Sequence, residues 1–278
     1  MRMTLLIAGI GFAFFGTATA QQSASVHQNV SRALQKLHSQ TWADRSKAFE
    51  EAAALLASKQ TPGDNDKLRV GLIQLLATEN IQTKILANHH NADEDAEEKD
   101  TEEYSEYYAN LIGAVADLKD ERAVPSLLGA ANTGGMATRG IARFGKKALN
   151  LVLEQASSRD PSLASGAVFV IREMLEMHTV TDPDSHQRMK NALRLALGSP
   201  DFGVRDSAIY AIEYLDDREE FVIVLNEVAE HDPFKLAGEK PDDSRDIGKL
   251  YPVRHHARSL LRKIAEHQPP VIDKGIRH

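Results

Sequence analysis

Apolar residues recur along most of this chain at spacings of three and four, the period of one buried helix face. Val26, Val30, Ala33, Leu34 and Leu37 follow it over 25–39, and Trp42, Phe49, Ala52, Leu55 and Leu56 over 42–58. A longer run over 64–88 opens on Asp64, read as a helix cap, and carries Leu68, Leu72, Ile73, Leu75, Leu76, Ile81 and Ile85. The period then breaks over 89–103, a nearly pure acidic tract. Like charges at that density repel, so a solvated linker or a frayed helix start is expected there. The pattern returns with Tyr104, Tyr107, Tyr108, Leu111, Ile112 and Val115. The three tyrosines fall at the start of that helix and are assigned to packing rather than to a ligand cage.

The second half is more regular. Helices are predicted over 121–132, 137–144, 146–157, 161–177, 184–198, 202–215, 219–230 and 252–266. Short polar turns such as Gly134-Gly135, Asp160-Pro161 and Asp182-Pro183 separate them. Turns this short make consecutive helices antiparallel neighbours. One connection is different: 232–251 is long, charged and rich in turn residues, an inserted loop between two adjacent helices.

Self-similarity links these helices. At an offset of 41 residues Asp160 meets Asp201, Leu163 meets Val204, Ala167 meets Ala208 and Ile171 meets Ile212. At an offset of 49, widened by the inserted loop, Val204, Arg205 and Ala208 meet Val253, Arg254 and Ala257. Each helix reads as a cap, an apolar residue, a small residue four later, then large apolar residues. The small residue lets a facing helix approach, and the large ones fill the groove between pairs. One helix pair cannot bury its apolar face alone, so pairs are expected to stack.

The string Asp201-x-x-Val204-Arg205-x-x-Ala208-x-x-Ala211-Ile212-x-x-Leu215 resembles the second helix of a HEAT repeat. Leu118-x-Asp120-x-Arg122-Ala123-Val124-Pro125-x-Leu127-Leu128 resembles the first helix of the short HEAT-like repeats of bacterial proteins, those of phycobilisome lyases among them. The resemblance covers 118–267; over 25–117 only helical pairing supports it. It implies an all-α, right-handed α-solenoid of antiparallel helix pairs, related to HEAT and armadillo arrays. It also implies that Asp201 caps its helix and that Arg205 bonds an acidic group of an adjoining repeat. The earlier repeat has Ala164 at the arginine position, so that ladder is interrupted.

Composition narrows the function. With 42% hydrophobic and 26% charged residues the chain is neither collagenous nor wholly disordered. A net charge of −7 gives nonspecific nucleic-acid binding no support. The lack of cysteine excludes disulfides, thiolate metal sites and a cysteine nucleophile. Residues 1–20 read as a cleavable signal peptide: Arg2, an apolar run from Leu5 to Phe15, then Ala18 and Ala20 before Gln21. That run is too short to span a bilayer, so a periplasmic or secreted protein without stable membrane insertion is expected. The expected organisation is a signal peptide at 1–20, a helical region at 21–117 with its acidic linker at 89–103, HEAT-like repeats at 118–267, and a tail at 268–278.

No nucleophile elbow, S-x-x-K, H-E-x-x-H or phosphate loop occurs. His89 and His90 with Asp93, Glu94 and Asp95 have helical spacing for a loose divalent site, yet fix no geometry, so no metal and no cofactor are assigned. His255-His256, beside Arg254 and Arg258, read as an exposed basic helix face. Second helices of such arrays line the binding surface. Tyr210, Tyr214, Arg254, His255 and Arg258 are therefore the candidate residues for a protein or peptide partner, since Tyr and Arg anchor interfaces. The expected function is a noncatalytic scaffold or protein-binding module of the cell envelope. The alternative is a lyase-like enzyme or accessory subunit with its chemistry in the acidic tract or the inserted loop. A third option is an assembly spacer that self-associates through apolar surface at an unpaired end.

Overall fold

The computed structural model describes residues 27–58, 61–89, 94–236 and 250–267, with 84–89 and 94–101 as backbone only. The leader-like segment, the C-terminal tail, most of the inserted loop and the His89/His90 cluster's side chains lie outside the described residues. The fold is all-α; among the described residues there is no strand. The chain divides into two compact units, Met1–Leu118 and Lys119–His278.

The first unit holds α1 (27–36), α2 (Trp42–Ala57), α3 (Pro62–His89) and α4 (Glu94–Asp117). Helices α2, α3 and α4 pack on one another. They bury Phe49, Ala52, Leu68, Leu72, Leu76, Leu111 and Val115. Helix α3 starts at Pro62, two residues before the Asp64 expected to cap it. Thr61 is the cap: its hydroxyl accepts from the Asp64 amide at 3.2 Å and donates to the Asp64 carboxylate at 2.9 Å. Proline suits the first helical position, where no partner awaits its missing N–H.

The acidic tract departs from expectation. It is helical from Glu94 onward, as the first half of α4. Acidic side chains favour the N-terminal end of a helix dipole, and Glu and Ala have high helix propensity. Repulsive i,i+4 pairs cost only a few tenths of a kcal/mol each. The buried Tyr104–Val115 half, where the tyrosines lie well inside the helix rather than at its start, anchors the rest.

The second unit is built from helix pairs. A 3-10 turn, Glu121–Ala123, leads into α5 (Val124–Gly129), followed by α6 (Gly135–Ala142), α7 (Lys146–Ala156), α8 (Pro161–Glu176), α9 (Pro183–Leu197) and α10 (Phe202–Ile212). A second 3-10 turn, Arg218–Phe221, precedes α11 (Val222–His231) and α12 (Pro252–Ala265). Helices predicted over 121–132 and 219–230 thus each begin as a 3-10 turn. In the first, Asp120 accepts the Arg122 amide and Pro125 occupies the opening of α5.

Consecutive helices pair as α5 with α6, α7 with α8, α9 with α10, and α11 with α12. The second members also pack in series, α6 on α8, α8 on α10, and α10 on α12. Ala167, Ala208 and Ala257 are completely buried at these contacts, with Val204 and Val253 beside them. Asp160, Asp182 and Asp201 each cap a helix by accepting amides of the first turn. Gly145 has a φ of +54°, and a Cβ there would lie 2.6 Å from the Thr179 carbonyl oxygen, so this turn requires glycine.

Candidate functional site

The second helices carry a row of polar contacts across their seams. Between α6 and α8, Arg139 donates to Glu173 at 3.4 Å. Glu173 is buried, and burial holds its carboxyl above the ordinary glutamate range, against the pull of Arg172 and Arg139. Between α8 and α10, Arg172 donates to the Tyr214 hydroxyl at 3.4 Å, and its guanidinium lies 5.2 Å from the ring centroid. Arg172 also donates to Glu176 at 3.2 Å. Burial is the main force raising the Tyr214 phenol.

The seam between α10 and α12 is the richest. Lys263 donates to Glu213 at 2.7 Å. His256 sits between two groups of α10: its Nδ1 is 2.6 Å from Asp206 Oδ1, and its Nε2 is 3.0 Å from the Tyr210 hydroxyl. The Tyr210 and His256 rings are 4.9 Å apart between centroids. Tyr210 remains exposed, and its phenol is held above the ordinary value by burial, then by Asp206 and Glu213.

The five residues expected to form one strip do not do so. Tyr210 and Tyr214 face the seams just described. Arg254 points elsewhere: it donates to the Asp232 backbone carbonyl at 2.7 Å and lies 4.5 Å above the Tyr251 ring. Arg254 and His256 are two residues apart, about 200° around a helix, so they occupy opposite flanks of α12. His255 and Arg258 are exposed. The histidine pair is likewise not a uniformly exposed basic face, because His256 is part-buried and bonded to α10. The outward side of α12 carries His255, Arg258 and Arg262.

The repeat arginine has a defined partner. Arg205 is buried and makes two bonds to Asp232, at 2.6 and 3.0 Å, and two more to the carbonyls of Ser199 and Pro200. Asp232 ends α11 and also accepts the Phe234 amide, fixing the first turn of the inserted loop. Phe234 stacks on Phe202, the first residue of α10. Arg122 is unlike Arg205: it is exposed and pairs with its own cap, Asp120, at 2.6 Å.

Two features were missed in the sequence. The first is Arg45 of α2, which copies Arg205: it bonds Glu79 through Nε and Nη2, and the carbonyls of Ser39 and Gln40 through Nη1. Thr41-x-x-x-Arg45-x-x-Ala48 has the spacing of Asp201-x-x-x-Arg205-x-x-Ala208, and the changed cap residue hid it. The second is the pairing of His256 with Asp206 and Tyr210. Placing Val253, Ala257 and Leu260 on the core face of α12 would have put His256, and not His255, on its flank.

No family model and no curated protein matches this chain. Among solved structures it is similar to the crystal structure of an engineered protein from the Northeast Structural Genomics Consortium. The two share 13% identity over 85% of this chain and 96% of the other, with a TM-score of 0.33.

Proposed function

We propose that the protein is an exported, noncatalytic binding module that holds a protein or peptide partner in the bacterial cell envelope. In this reading helices α5–α12 form a right-handed α-solenoid of HEAT-like pairs, and α6, α8, α10 and α12 line its concave face. The observation that carries the reading is the serial packing of those four helices, with Tyr210 exposed on them. The bonding of Arg205 to the helix that follows its own pair supports the HEAT-like assignment, as does the cap at Asp201. Export rests on the charged start, apolar run and small-residue site within residues 1–20.

Partner contact is assigned to Tyr210, His255 and Arg258; Tyr214 and Arg254 belong to the internal packing. Pull-down from a periplasmic extract tests this, with Tyr210→Ala and Arg258→Glu as comparators. A partner retained by wild type and weakened at least tenfold by Tyr210→Ala supports the face. A partner held by both variants at wild-type affinity places the surface elsewhere.

A further inference from the structure

The Asp206–His256–Tyr210 chain has a chemical consequence that turns on one proton. Asp206 is an acceptor when ionised, so the His256 Nδ1 that faces it at 2.6 Å carries a hydrogen. In neutral imidazole the other nitrogen then bears a lone pair. Nε2, 3.0 Å from the phenol, accepts the Tyr210 hydroxyl hydrogen. The phenol spends its only hydrogen inward, and its oxygen shows lone pairs to the outside. When the imidazole takes up a proton from solvent, both nitrogens become donors. Nε2–H then donates to the Tyr210 oxygen, and the phenol hydrogen turns outward.

We propose that His256 sets the direction of the Tyr210 hydrogen bond, and through it whether this face offers a partner an acceptor or a donor. Neutral His256 makes Tyr210 an acceptor, suited to backbone N–H groups and amines. Charged His256 makes it a donor, suited to carbonyl and carboxylate oxygens. Uptake or loss of one proton at the imidazole therefore selects between the two states.

The surroundings keep this a property of the three residues. The nearby charges are Asp206 on α10 and Glu213 just after it, and Glu213 is engaged by Lys263 of α12. Arg172 of α8 acts on the Tyr210 phenol in the opposite sense to those carboxylates. On α12 the His255 ring meets His256 edge-on at 5.8 Å. Helix α11, also packed on α12, carries Glu227, Glu230 and His231, all exposed, and none is hydrogen-bonded to His256 among the described residues. Part-burial of His256 and Asp206 shields their bond from competing water.

The proposal uses the binding reading to give the switch its purpose, but the switch is measurable in the free protein. Nitrogen-15 imidazole and carbon-13 tyrosine NMR of the full chain, from pH 8 to pH 5, is the test. At pH 8 the expected His256 tautomer carries its proton on Nδ1, and Tyr210→Phe shifts the Nε2 resonance alone. In wild type the Tyr210 Cζ resonance moves with the same midpoint as His256, and that movement is lost in His256→Gln. An Nε2–H tautomer at pH 8 overturns the proposal. So does a Tyr210 Cζ resonance that ignores the His256 titration. Neither result touches the pull-down, so failure of the switch and failure of the binding face remain distinguishable.

Discussion

Arg45 and Arg205 are the same device set in two different places. Each stands three residues beyond the first residue of its helix, closes over the two carbonyls five and six residues back, and spends its remaining donors on one buried carboxylate. The carboxylates differ. Glu79 lies in mid-helix on α3, fully buried, and also accepts the hydroxyls of Tyr104 and Tyr107 at 3.0 Å. Asp232 is the last word of α11 and shares its carboxylate with one loop amide. In the first unit the arginine locks three helices to one another, and Trp42 stacks on Tyr107 as the lid of that lock. In the second unit it stitches one helix pair to the next and fixes where the loop departs. One local motif therefore closes a cluster of three helices or joins successive helix pairs, according to where in the chain its acid is supplied.

The largest effects should come from breaking these two ion pairs. Removing one partner of a buried pair costs about 3–5 kcal/mol, because the other charge stays buried and uncompensated. Glu79→Gln strands Arg45 and also weakens the acceptor of two buried phenols, so it should lie at the upper end. Asp232→Asn should lie lower and should loosen the segment after α11. Hydrogen exchange read by mass spectrometry locates each loss. Equal losses, or loss of protection outside the unit that carries the substitution, would break the comparison.

Much of this was legible. Period and turn residues placed nearly every helix, since burying one face demands apolar residues at three and four. The offset of 41 residues exposed the alanines that the structure buries between second helices. The matching device in the first unit stayed hidden because Thr41 stands where the second unit has Asp201, and its acid lies at another distance: Glu79 is 34 residues beyond Arg45, and Asp232 is 27 beyond Arg205. A changed cap and a shifting partner leave only the arginine and the alanine at a fixed spacing. The acidic tract misled for another reason. Repulsion along a helix is weaker than the packing of its buried half, and charge pattern alone does not weigh the two. The placement of the five expected surface residues was only partly readable, because exposure on a wheel does not tell which residues a neighbouring helix will occupy. Arg254 and Tyr214 looked available, and both are engaged.

The units should also differ in their response to pH. Tyr104 and Tyr107 of the first unit are pushed far above the physiological range, chiefly by burial, and so stay protonated. Glu173 of the second unit is held above its ordinary value by burial. Between the ordinary and the raised value the folded chain binds more protons than the unfolded one, so this group makes stability fall as pH rises through that window. Glu173→Gln removes the dependence. The difference between the wild-type and variant unfolding curves should grow in the variant's favour from acid towards neutral pH and then level off. A difference that runs the other way would mean that Arg139 and Arg172 outweigh burial.

The smallest effect concerns the turns. Among the described residues, the non-glycine residues with positive φ are Lys119, His178 and His267, and all three lie in the second unit. His178, at a φ of +50°, follows the end of α8; its amide bonds the Leu175 carbonyl, and the Thr179 amide reaches back to Met174. That is the left-handed helix stop usually given to glycine. A side chain in this conformation costs about 1–2 kcal/mol, offset in part by the greater freedom that glycine gives the unfolded chain. His178→Gly should therefore stabilise the protein by roughly 0.5–1 kcal/mol, read as a small rise in denaturation midpoint with an unchanged slope. The gain should appear as added exchange protection in α8 and α9, and the first unit should show none. A neutral or destabilising result would mean that the imidazole contributes packing or bonding worth more than the strain it imposes.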